Sequence, residues 1–381
     1  MIFQNFGFNR LKVKAGAPAP PAALFPDQAT QSWSSTETAQ WLSAASSVFA
    51  VGNGVTYSAP ASISTSLGSN IFGGKLARNG KIYMAGDGGT SIYVWNTNTS
   101  TMTTITSPYG LVNYTGYYND YSKCVYFVAN GYIVVVDTLT DTIAASIANP
   151  VTGNYGSIYG SGYDGRYIYG NGWFSNNTWF KVDTLNNTAT SLSPVNSQGD
   201  TLTGMMAANG KLYMGSGGGS SGGLHVWNAN TDTNEFVSAL GNTSDIYRTV
   251  CTHYDGYAYT FPAYGASNIW KITPSTNGGT SVLGSVTDIR AQASVMGADG
   301  LIYVFGNPTF GTNNAYTYNP IANSVSYFTV PQQNLQWCVM DVNGHIYFGQ
   351  GTNLYKMTAS NVPSATATAL AEYNGIIARM R

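Results

Sequence analysis

An Asn-Gly or Asp-Gly dipeptide recurs along this chain at a nearly constant interval. Its glycines are Gly80, Gly165, Gly210, Gly256, Gly300 and Gly344. The last four intervals are 45, 46, 44 and 44 residues, and the first, 85, equals two repeats with a degenerate turn near Asn119-Asp120 between them. Because Asn and Asp tolerate the left-handed backbone of a type I′ turn, the dipeptide is typical of a tight β-hairpin. The chain is therefore expected to be a series of repeated β units.

The stretch from Asp200 to Phe236 shows what one unit contains. Apolar runs alternate with turn residues: one run ends at Ala208, a second follows the 209–210 turn, and a third begins at Leu224 after a Gly/Ser-rich loop. No helical period is present in this stretch. The pattern predicts a four-stranded antiparallel meander.

A second marker is an Asn or Asp that opens the first strand of each unit. These residues are Asn70, Asn113, Asn154, Asp200, Asp245, Asp288, Asn334 and Asn374, spaced by 43, 41, 46, 45, 43, 46 and 40 residues. The count of strand starts is therefore eight. After Asn374 only one strand can follow before the chain ends at Arg381.

The missing strands of that last unit have candidates near the other terminus. Val48 to Tyr57 resembles Ile346 to Tyr355 in pattern, and Ala61 to Ser66 can supply a fourth strand. One unit is thus expected to be shared between the two ends of the chain. Such sharing closes a ring of radial four-stranded blades.

This arrangement resembles a β-propeller, with a period near that of WD40 blades and tight inner strands similar to the kelch-like group. The resemblance covers residues 47–381 and implies an all-β fold of eight four-stranded blades, with seven as the alternative. No Trp-Asp dipeptide and no fixed kelch Gly-Gly pair occurs. Residues 1–46, rich in Pro and Ala between Ala15 and Pro26, are predicted to form an extended N-terminal arm.

Composition limits the partners that such a propeller can bind. Only 9% of the 381 residues are charged and the formal net charge is −1, so neither nucleic acid nor an acidic membrane surface is favoured. No window approaches 18 apolar residues, so membrane insertion is not expected. Cys124, Cys251 and Cys338 fall in three different repeats, which favours reduced thiols over a disulfide framework. No cofactor is predicted.

The acidic residues were the first candidates for chemistry, since hydrolytic propellers need paired carboxylates. Eight of the 17 acids occupy turn positions where other repeats carry Asn, so they are interpreted as turn residues: Asp120, Asp164, Asp255, Asp299, Asp137, Asp141, Asp183 and Asp232. Asp200, Asp245 and Asp288 open three consecutive inner strands and could form a cation site. The alternative, which we favour, is that each caps the loop entering its strand, as Asn does in other repeats.

Histidines and aromatic residues are two further candidate ligand types. His225, His253 and His345 occupy different strands and share no metal-ligand spacing. Loops between second and third strands are expected on one face of the ring, and several carry aromatic residues: Trp173, Phe174, Tyr264 and Phe310. These rings could stack on sugar or peptide, or pack between adjacent blades, and the sequence leaves both open.

The arm carries apolar and basic side chains that suit a partner surface: Phe3, Phe6, Phe8, Arg10, Lys12 and Lys14. The chain has few charges and plentiful Gly, Asn, Thr, Ser and Tyr, and its Pro-rich arm precedes a rigid module. In these features it resembles phage tail and decoration proteins. That resemblance implies a non-enzymatic structural or adhesin component of a virion, anchored to other virion proteins by the arm and contacting host surface glycan. A secreted or surface lectin-like propeller is the alternative, and a propeller glycosidase or lyase is disfavoured because no acid pair is evident.

Overall fold

The computed structural model describes most of the chain after the arm. It covers residues 49–63, 67, 71–86, 88–119, 121–151, 155–161, 166–173, 179–192, 201–207, 211–216, 224–229, 231–237, 246–264, 268–284, 286, 289–308, 315–331, 335–350 and 352–363, with the backbone alone for some strand residues. Within these ranges the secondary structure is all β, and no helix is long and apolar enough to cross a membrane.

Seven four-stranded antiparallel sheets, numbered here as blades, follow one another along the chain. Blade 1 contains β3 (Ile71–Leu76), β4 (Lys81–Gly86), β5 (Ser91–Asn96) and β6 (Thr101–Thr106). Blade 2 contains β8 (Tyr117–Asn119), β9 (Cys124–Ala129), β10 (Tyr132–Asp137) and β11 (Thr142–Ala148). Blade 3 contains β12 (Tyr155–Ser161), β13 (Tyr167–Trp173), β14 (Trp179–Asp183) and β15 (Thr188–Ser191), and β7 (Asn113–Thr115) adds to it in parallel with β12.

The second half of the ring repeats the same order. Blade 4 contains β16 (Thr201–Ala207), β17 (Lys211–Ser216), β18 (Leu224–Asn228) and β19 (Thr233–Val237). Blade 5 contains β20 (Ile246–Thr252), β21 (Ala258–Tyr264), β22 (Ile269–Thr273) and β23 (Gly278–Leu283). Blade 6 contains β24 (Ile289–Met296), β25 (Ile302–Pro308), β26 (Ala315–Asn319) and β27 (Ser324–Phe328). Blade 7 contains β28 (Trp337–Met340), β29 (Ile346–Gln350), β30 (Asn353–Met357) and β2 (Ala61–Ser62).

The ring closes with seven blades, which is the alternative count predicted from the sequence. The first strand of each blade packs against the first strand of the next, and β28 of blade 7 packs against β3 of blade 1. Eight blades is therefore wrong, because the interface between blades 7 and 1 leaves no place for another sheet. The predicted strand after Asn374 lies outside the described residues.

The expectation of a blade shared between both termini is confirmed, but the division of strands differs from the predicted one. Three strands come from residues 337–357, and the N-terminal side supplies only the outermost strand β2, paired with β30 at Ala61↔Lys356 and Ser62↔Tyr355. Residues 49–58 do not form the second and third strands of a blade. Only β1 (Thr56–Tyr57) is extended, and it pairs with β31 (Ala359–Ser360) outside the blades.

The hydrophobic core is divided into layers between adjacent sheets. One buried cluster lies between blades 1 and 2, another between blades 2 and 3, and others join blades 4 and 5 and blades 7 and 1. The largest cluster extends from blade 3 to blade 7 and includes Phe49. Close approach between blades explains Gly74, where a Cβ atom would lie 2.6 Å from the Trp337 ring. Each blade is therefore stabilised by its neighbours, as expected of a ring of half-buried sheets.

Candidate functional site

The antiparallel order of strands gives the ring two different faces. The turns between first and second strands and between third and fourth strands lie on one side, called here the turn face. The connections between second and third strands and the links from blade to blade lie on the other, called here the loop face. Any site built from the loop connections is thus separated from the hairpin turns by the length of a strand.

Two of the aromatic residues predicted to bind a ligand have described backbones. Trp173 and Tyr264 end β13 and β21, opposite Tyr155 and Ile246 at the beginnings of the first strands, so both belong to the loop face. Their side chains and the whole of Phe174 and Phe310 lie outside the described residues. The same holds for the proposed cation ligands Asp200, Asp245 and Asp288, and for the arm residues Phe3, Phe6, Phe8, Arg10, Lys12 and Lys14. Their roles stay predictions.

The first hairpin turns differ from the predicted type I′ geometry. In blades 1, 5, 6 and 7 only the glycine has a positive φ: +79° at Gly80, +85° at Gly256, +79° at Gly300 and +82° at Gly344. The amide of each glycine donates to the carbonyl three residues earlier. This is the pattern of a turn followed by a left-handed glycine, so the preceding Asn or Asp needs no left-handed backbone. In blades 1, 5 and 6 its side chain instead accepts a hydrogen bond from the amide two residues later, as Asp299 Oδ1 does from Leu301 at 3.1 Å.

Left-handed Asn and Asp occur instead in the turns between third and fourth strands. The position before the fourth strand has φ between +50° and +56° in blades 1 to 6: Ser100, Asp141, Asn187, Asp232, Asn277 and Asn323. At the start of these turns, Asp137 Oδ1 accepts from the Leu139 amide at 2.7 Å and Asp183 Oδ1 from the Leu185 amide at 3.0 Å. The interpretation of Asp137, Asp141, Asp183, Asp232, Asp255 and Asp299 as turn residues is thus supported, while Asp120 and Asp164 lie outside the described residues.

Several turn residues also connect neighbouring blades. Asp141 of blade 2 accepts hydrogen bonds from Tyr83 Oη at 2.6 Å and from Lys81 Nζ, both in blade 1. Asp232 of blade 4 accepts in the same way from Tyr169 Oη at 2.7 Å and from Lys181 Nζ of blade 3. In the next pair, Asn277 of blade 5 takes the place of the aspartate and accepts from Tyr213 Oη at 2.8 Å and Lys211 Nζ at 3.1 Å. Sequence reasoning missed this contact because it joins residues about 60 positions apart.

Residues 49–58 form a strap across the turn face of blades 6 and 7. Phe49 is 1% exposed, and its carbonyl oxygen lies where a Cβ on Gly300 would come within 2.0 Å. Asn53 Nδ2 donates to the Ala298 carbonyl at 2.8 Å. Tyr57 Oη accepts from the Ala298 amide at 2.8 Å and donates to the Gly344 carbonyl at 2.7 Å. One hydroxyl thus bridges the first hairpin turns of two adjacent blades.

Buried ionisable groups surround the strap. Burial raises the pKa of Asp299 to about 6, although hydrogen bonds from Tyr303 Oη and the Leu301 amide oppose the shift. Burial likewise raises the pKa of Asp341 and lowers that of its neighbour His345. At Asp255, burial is outweighed by His253, Tyr259 and the Tyr257 amide, and the pKa is lowered.

The histidines and cysteines have ordinary structural surroundings where the structure describes them. His253 was expected in the first strand of blade 5, but it lies in the first turn of that blade, is 1% exposed, and has Nε2 3.0 Å from the Gly300 carbonyl. His345 Nδ1 accepts from the Ala359 amide at 3.0 Å. Cys124, Cys251 and Cys338 are free thiols, as predicted. Among the described residues no group of three or more His, Cys, Asp or Glu side chains could hold a metal ion.

A pair of tyrosines that the sequence did not single out lies on the loop face. Tyr109, in the link from blade 1 to blade 2, stacks on Tyr132 at the start of β10, with ring centroids 3.8 Å apart and 13° between the planes. Both side chains are partly exposed. The two residues are 23 positions apart, and only Asn130-Gly131 directly before Tyr132 is a sequence signal for a tight loop here.

Comparisons with known proteins identify the fold. No family model and no curated protein sequence matches the chain. Among solved structures, virginiamycin B lyase from Staphylococcus aureus has a TM-score of 0.63 at 14% identity, over 80% of this chain and 99% of the lyase. The WD40 β-propeller domain of Doa1 has a TM-score of 0.58 at 13% identity, over 82% of this chain and 99% of that domain.

A third similar structure is the extracellular domain of a hybrid two-component system from B. thetaiotaomicron. Its TM-score is 0.57 at 14% identity, over 76% of this chain and 40% of that one. At such low identity these similarities establish the fold alone. The protein is a β-propeller of seven four-stranded blades.

Proposed function

We propose that this propeller is a non-enzymatic structural or adhesin component of a phage virion, attached to other virion proteins by its N-terminal arm and contacting host surface glycan through its loop face. The observation that carries the proposal is the strap. Because residues 49–58 are fastened to the turn face through Phe49, Asn53 and Tyr57, the arm leaves the ring on that face in this proposal. Attachment and glycan contact then use opposite faces, so one does not obstruct the other.

The chemistry of the described acids supports a non-enzymatic role. Each of the eight described carboxylates accepts hydrogen bonds from a turn or from a neighbouring strand: Asp137, Asp141, Asp183, Asp232, Glu235, Asp255, Asp299 and Asp341. A general acid or base must instead reach a substrate proton. The scarcity of charge and the abundance of small polar residues, which resemble phage tail and decoration proteins, support the virion assignment.

Deletion of residues 1–46 tests the attachment. Full-length protein and the truncated protein are each supplied during particle assembly, and purified particles are analysed by sedimentation and quantitative mass spectrometry. We expect the truncated protein to stay folded, as judged by its melting temperature, and to be missing from the particles. A second variant, in which Phe3, Phe6 and Phe8 are replaced by serine, should behave like the deletion because it removes apolar contacts without shortening the chain.

Two outcomes would contradict the proposal. The first is incorporation of the truncated protein at the level of the full chain. The second is full-length protein found in the medium or on cells and never in sedimenting particles. The latter result would favour a secreted or surface lectin-like propeller, an alternative suggested by the extracellular similar domain and by the stacked tyrosines. A glycosidase or lyase role is disfavoured here, since the similarity to virginiamycin B lyase concerns the fold.

A further inference from the structure

The stacked pair formed by Tyr109 and Tyr132 differs from the other tyrosines of the ring in its location and exposure. Tyrosines at the turn ends of the second strands are buried, such as Tyr83 at 0% and Tyr213 at 0%. Tyr109 and Tyr132 are partly exposed, on the loop face between blades 1 and 2. One side of Tyr109 packs on the buried cluster of those two blades. The pair therefore packs on the hydrophobic core through Tyr109 and is partly accessible to solvent.

Hydrogen bonds within and between two loops fix the backbone that carries the two rings. Ser107 Oγ donates to the Tyr109 carbonyl at 2.7 Å and accepts from the Tyr109 amide at 3.1 Å. The Asn130 amide donates to the Gly110 carbonyl at 2.8 Å, which joins the loop of Tyr109 to the loop of Tyr132. Because the rings also stack on each other, less conformational entropy is lost when a ligand binds than for two unrestrained side chains.

The loop beside the pair is short, as is the equivalent connection of blade 7 at residues 351–352. In blade 2 the second and third strands are joined by Asn130 and Gly131 alone, with Gly131 at a φ of +71°. The corresponding connection in blade 1 spans residues 87–90, and in blade 3 it spans residues 174–178. Blade 2 thus contributes no long loop of its own beside the rings.

The described surroundings of the pair are polar and uncharged. Residues 88–90, 107–112, 130–131 and 149–151 contain hydroxyls, amides, glycines, prolines and aliphatic side chains, and none of these residues is charged. A phosphate or carboxylate ligand would find no cationic side chain among them. An aromatic ring with a polar edge suits a ligand that has both an apolar C–H face and hydroxyl groups. Neutral saccharides have that combination.

We propose that Tyr109 and Tyr132 form a binding platform for neutral saccharide on the loop face, at the junction of blades 1 and 2. This inference rests on the proposed function, which assigns glycan contact to the loop face, and adds a site distinct from Trp173, Phe174, Tyr264 and Phe310. A sugar ring stacks on the exposed part of the tyrosine pair. The tyrosine hydroxyls and the side-chain amide of the exposed Asn130 provide the polar contacts.

The test measures binding of defined oligosaccharides to the full chain. Cellohexaose, maltohexaose and mannohexaose are titrated by calorimetry, and sialic acid oligomers and an uncharged peptide of similar size serve as comparison ligands. We expect at least one neutral hexasaccharide to bind. Tyr109→Ala and Tyr132→Ala should each weaken it by about tenfold, which corresponds to the loss of about 1.4 kcal/mol of stacking free energy.

Two matched variants separate stacking from folding. The double variant Tyr109→Phe/Tyr132→Phe keeps both rings and should retain most of the affinity, losing only hydroxyl contacts. Tyr257→Ala is the control, because Tyr257 is also partly exposed but lies on the turn face beneath Lys271, whose Nζ is 3.6 Å from the ring centroid. That substitution should leave saccharide affinity unchanged.

The site is ruled out if none of the neutral hexasaccharides binds, if only the acidic oligomers or the peptide bind, or if affinity is the same in the two alanine variants. The outcome is independent of the virion assignment. Saccharide binding by a protein that never enters particles would support this site and contradict the virion proposal. Particle incorporation without saccharide binding would support the virion assignment and contradict this site.

Discussion

One tyrosine occupies the same place in the second strand of every blade, and its hydroxyl explains why the residue is not phenylalanine. The seven side chains are at most 5% exposed: Tyr83, Tyr126, Tyr169, Tyr213, Tyr259, Tyr303 and Tyr347. In some blades the hydroxyl donates to the next blade, as Tyr83 does to Asp141 at 2.6 Å. In others it donates to the turn of its own blade, as Tyr303 does to Asp299 at 2.8 Å. A buried hydroxyl without such a partner would cost about 1–3 kcal/mol.

The carboxyl of Asp299 should make stability depend on pH. Its pKa of about 6 in the folded protein exceeds the value of about 3.9 expected for an unfolded chain. Between these values the folded state binds a proton that the unfolded state has lost, so the free energy of unfolding falls as pH rises through this window. We expect the wild type to lose up to roughly 3 kcal/mol more than Asp299→Asn between pH 4 and pH 7, as measured by denaturant unfolding.

Asp255→Asn is the matched comparison, because Asp255 holds the equivalent turn position in blade 5. Its pKa is lowered, so the ionised carboxylate stabilises the fold and this contribution is lost as pH falls through the lowered pKa. The difference between the wild type and Asp255→Asn should therefore have the opposite sign. Parallel stability curves for the wild type and Asp299→Asn would show that Asp299 does not titrate in this range.

At the scale of elements, the strap and the outermost strand β2 contribute to the structure in different ways. β2 pairs with β30 and covers the outer edge of blade 7. The strap lies over the turns of blades 6 and 7 and buries Phe49 and Val55, which are 1% and 8% exposed. Burial of a large apolar side chain is worth about 1.5–3 kcal/mol, so the strap contributes to the stability of blades 6 and 7 in addition to β2.

Gly300→Ala should detach the strap. The new methyl group would meet the Phe49 carbonyl at 2.0 Å, and the backbone at Gly300 has a φ of +79°. Gly88→Ala provides the control, because Gly88 has a φ of +78° and no atom within 4 Å of the added Cβ. Both substitutions incur backbone strain of about 1–2 kcal/mol, and Gly300→Ala should cost about 1–3 kcal/mol more.

Denaturant unfolding and limited proteolysis measure this difference. Faster cleavage within residues 49–58 of the Gly300→Ala protein is expected. Equal stability losses and equal cleavage in the two variants would mean that Phe49 does not lie against Gly300.

For the whole molecule, closure of the ring depends on both ends of the described chain. Blade 7 packs on blade 1 through its inner strand and receives its outer strand from residues 61–62. Without β2, the amides and carbonyls along the edge of β30 would lose their partners. The ring therefore depends on a segment that lies almost 300 residues before its partner in the sequence.

Two N-terminal deletions should separate the contribution of closure from that of the arm. Removing residues 1–46 keeps the strap and β2, and the melting temperature should stay within a few degrees of the full-length value. Removing residues 1–63 also takes away Phe49, Tyr57 and β2, and should lower the melting temperature markedly and cause aggregation. Differential scanning calorimetry with light scattering measures both. If the two truncated proteins melt alike, the ring closes without its N-terminal strand.

The sequence alone determined the class of fold, the strand order within a blade and the approximate positions of most blades. These properties depend on local sequence. The predicted strand starts at Asn70, Asp200 and Asp245 directly precede β3, β16 and β20, and the described acids predicted to be turn residues are found in turns. The type I′ assignment was wrong for the four first turns that the structure describes, because a left-handed glycine alone satisfies each of them. The buried tyrosines, at intervals of 43 to 46 residues, were an available signal for seven blades.

Only the tertiary structure decided how the repeats combine. The number of blades follows from the packing of β28 against β3, and whether residues 49–58 form strands or a strap depends on contacts with turns about 250 residues away. Neither property is encoded in hairpin propensity, because the same local pattern can belong to a blade or extend an existing one. The pairing of Tyr109 with Tyr132 likewise required the loops of two blades to meet. Local chemistry sets the repeating unit, whereas the free energy of packing between units sets the ring and its faces.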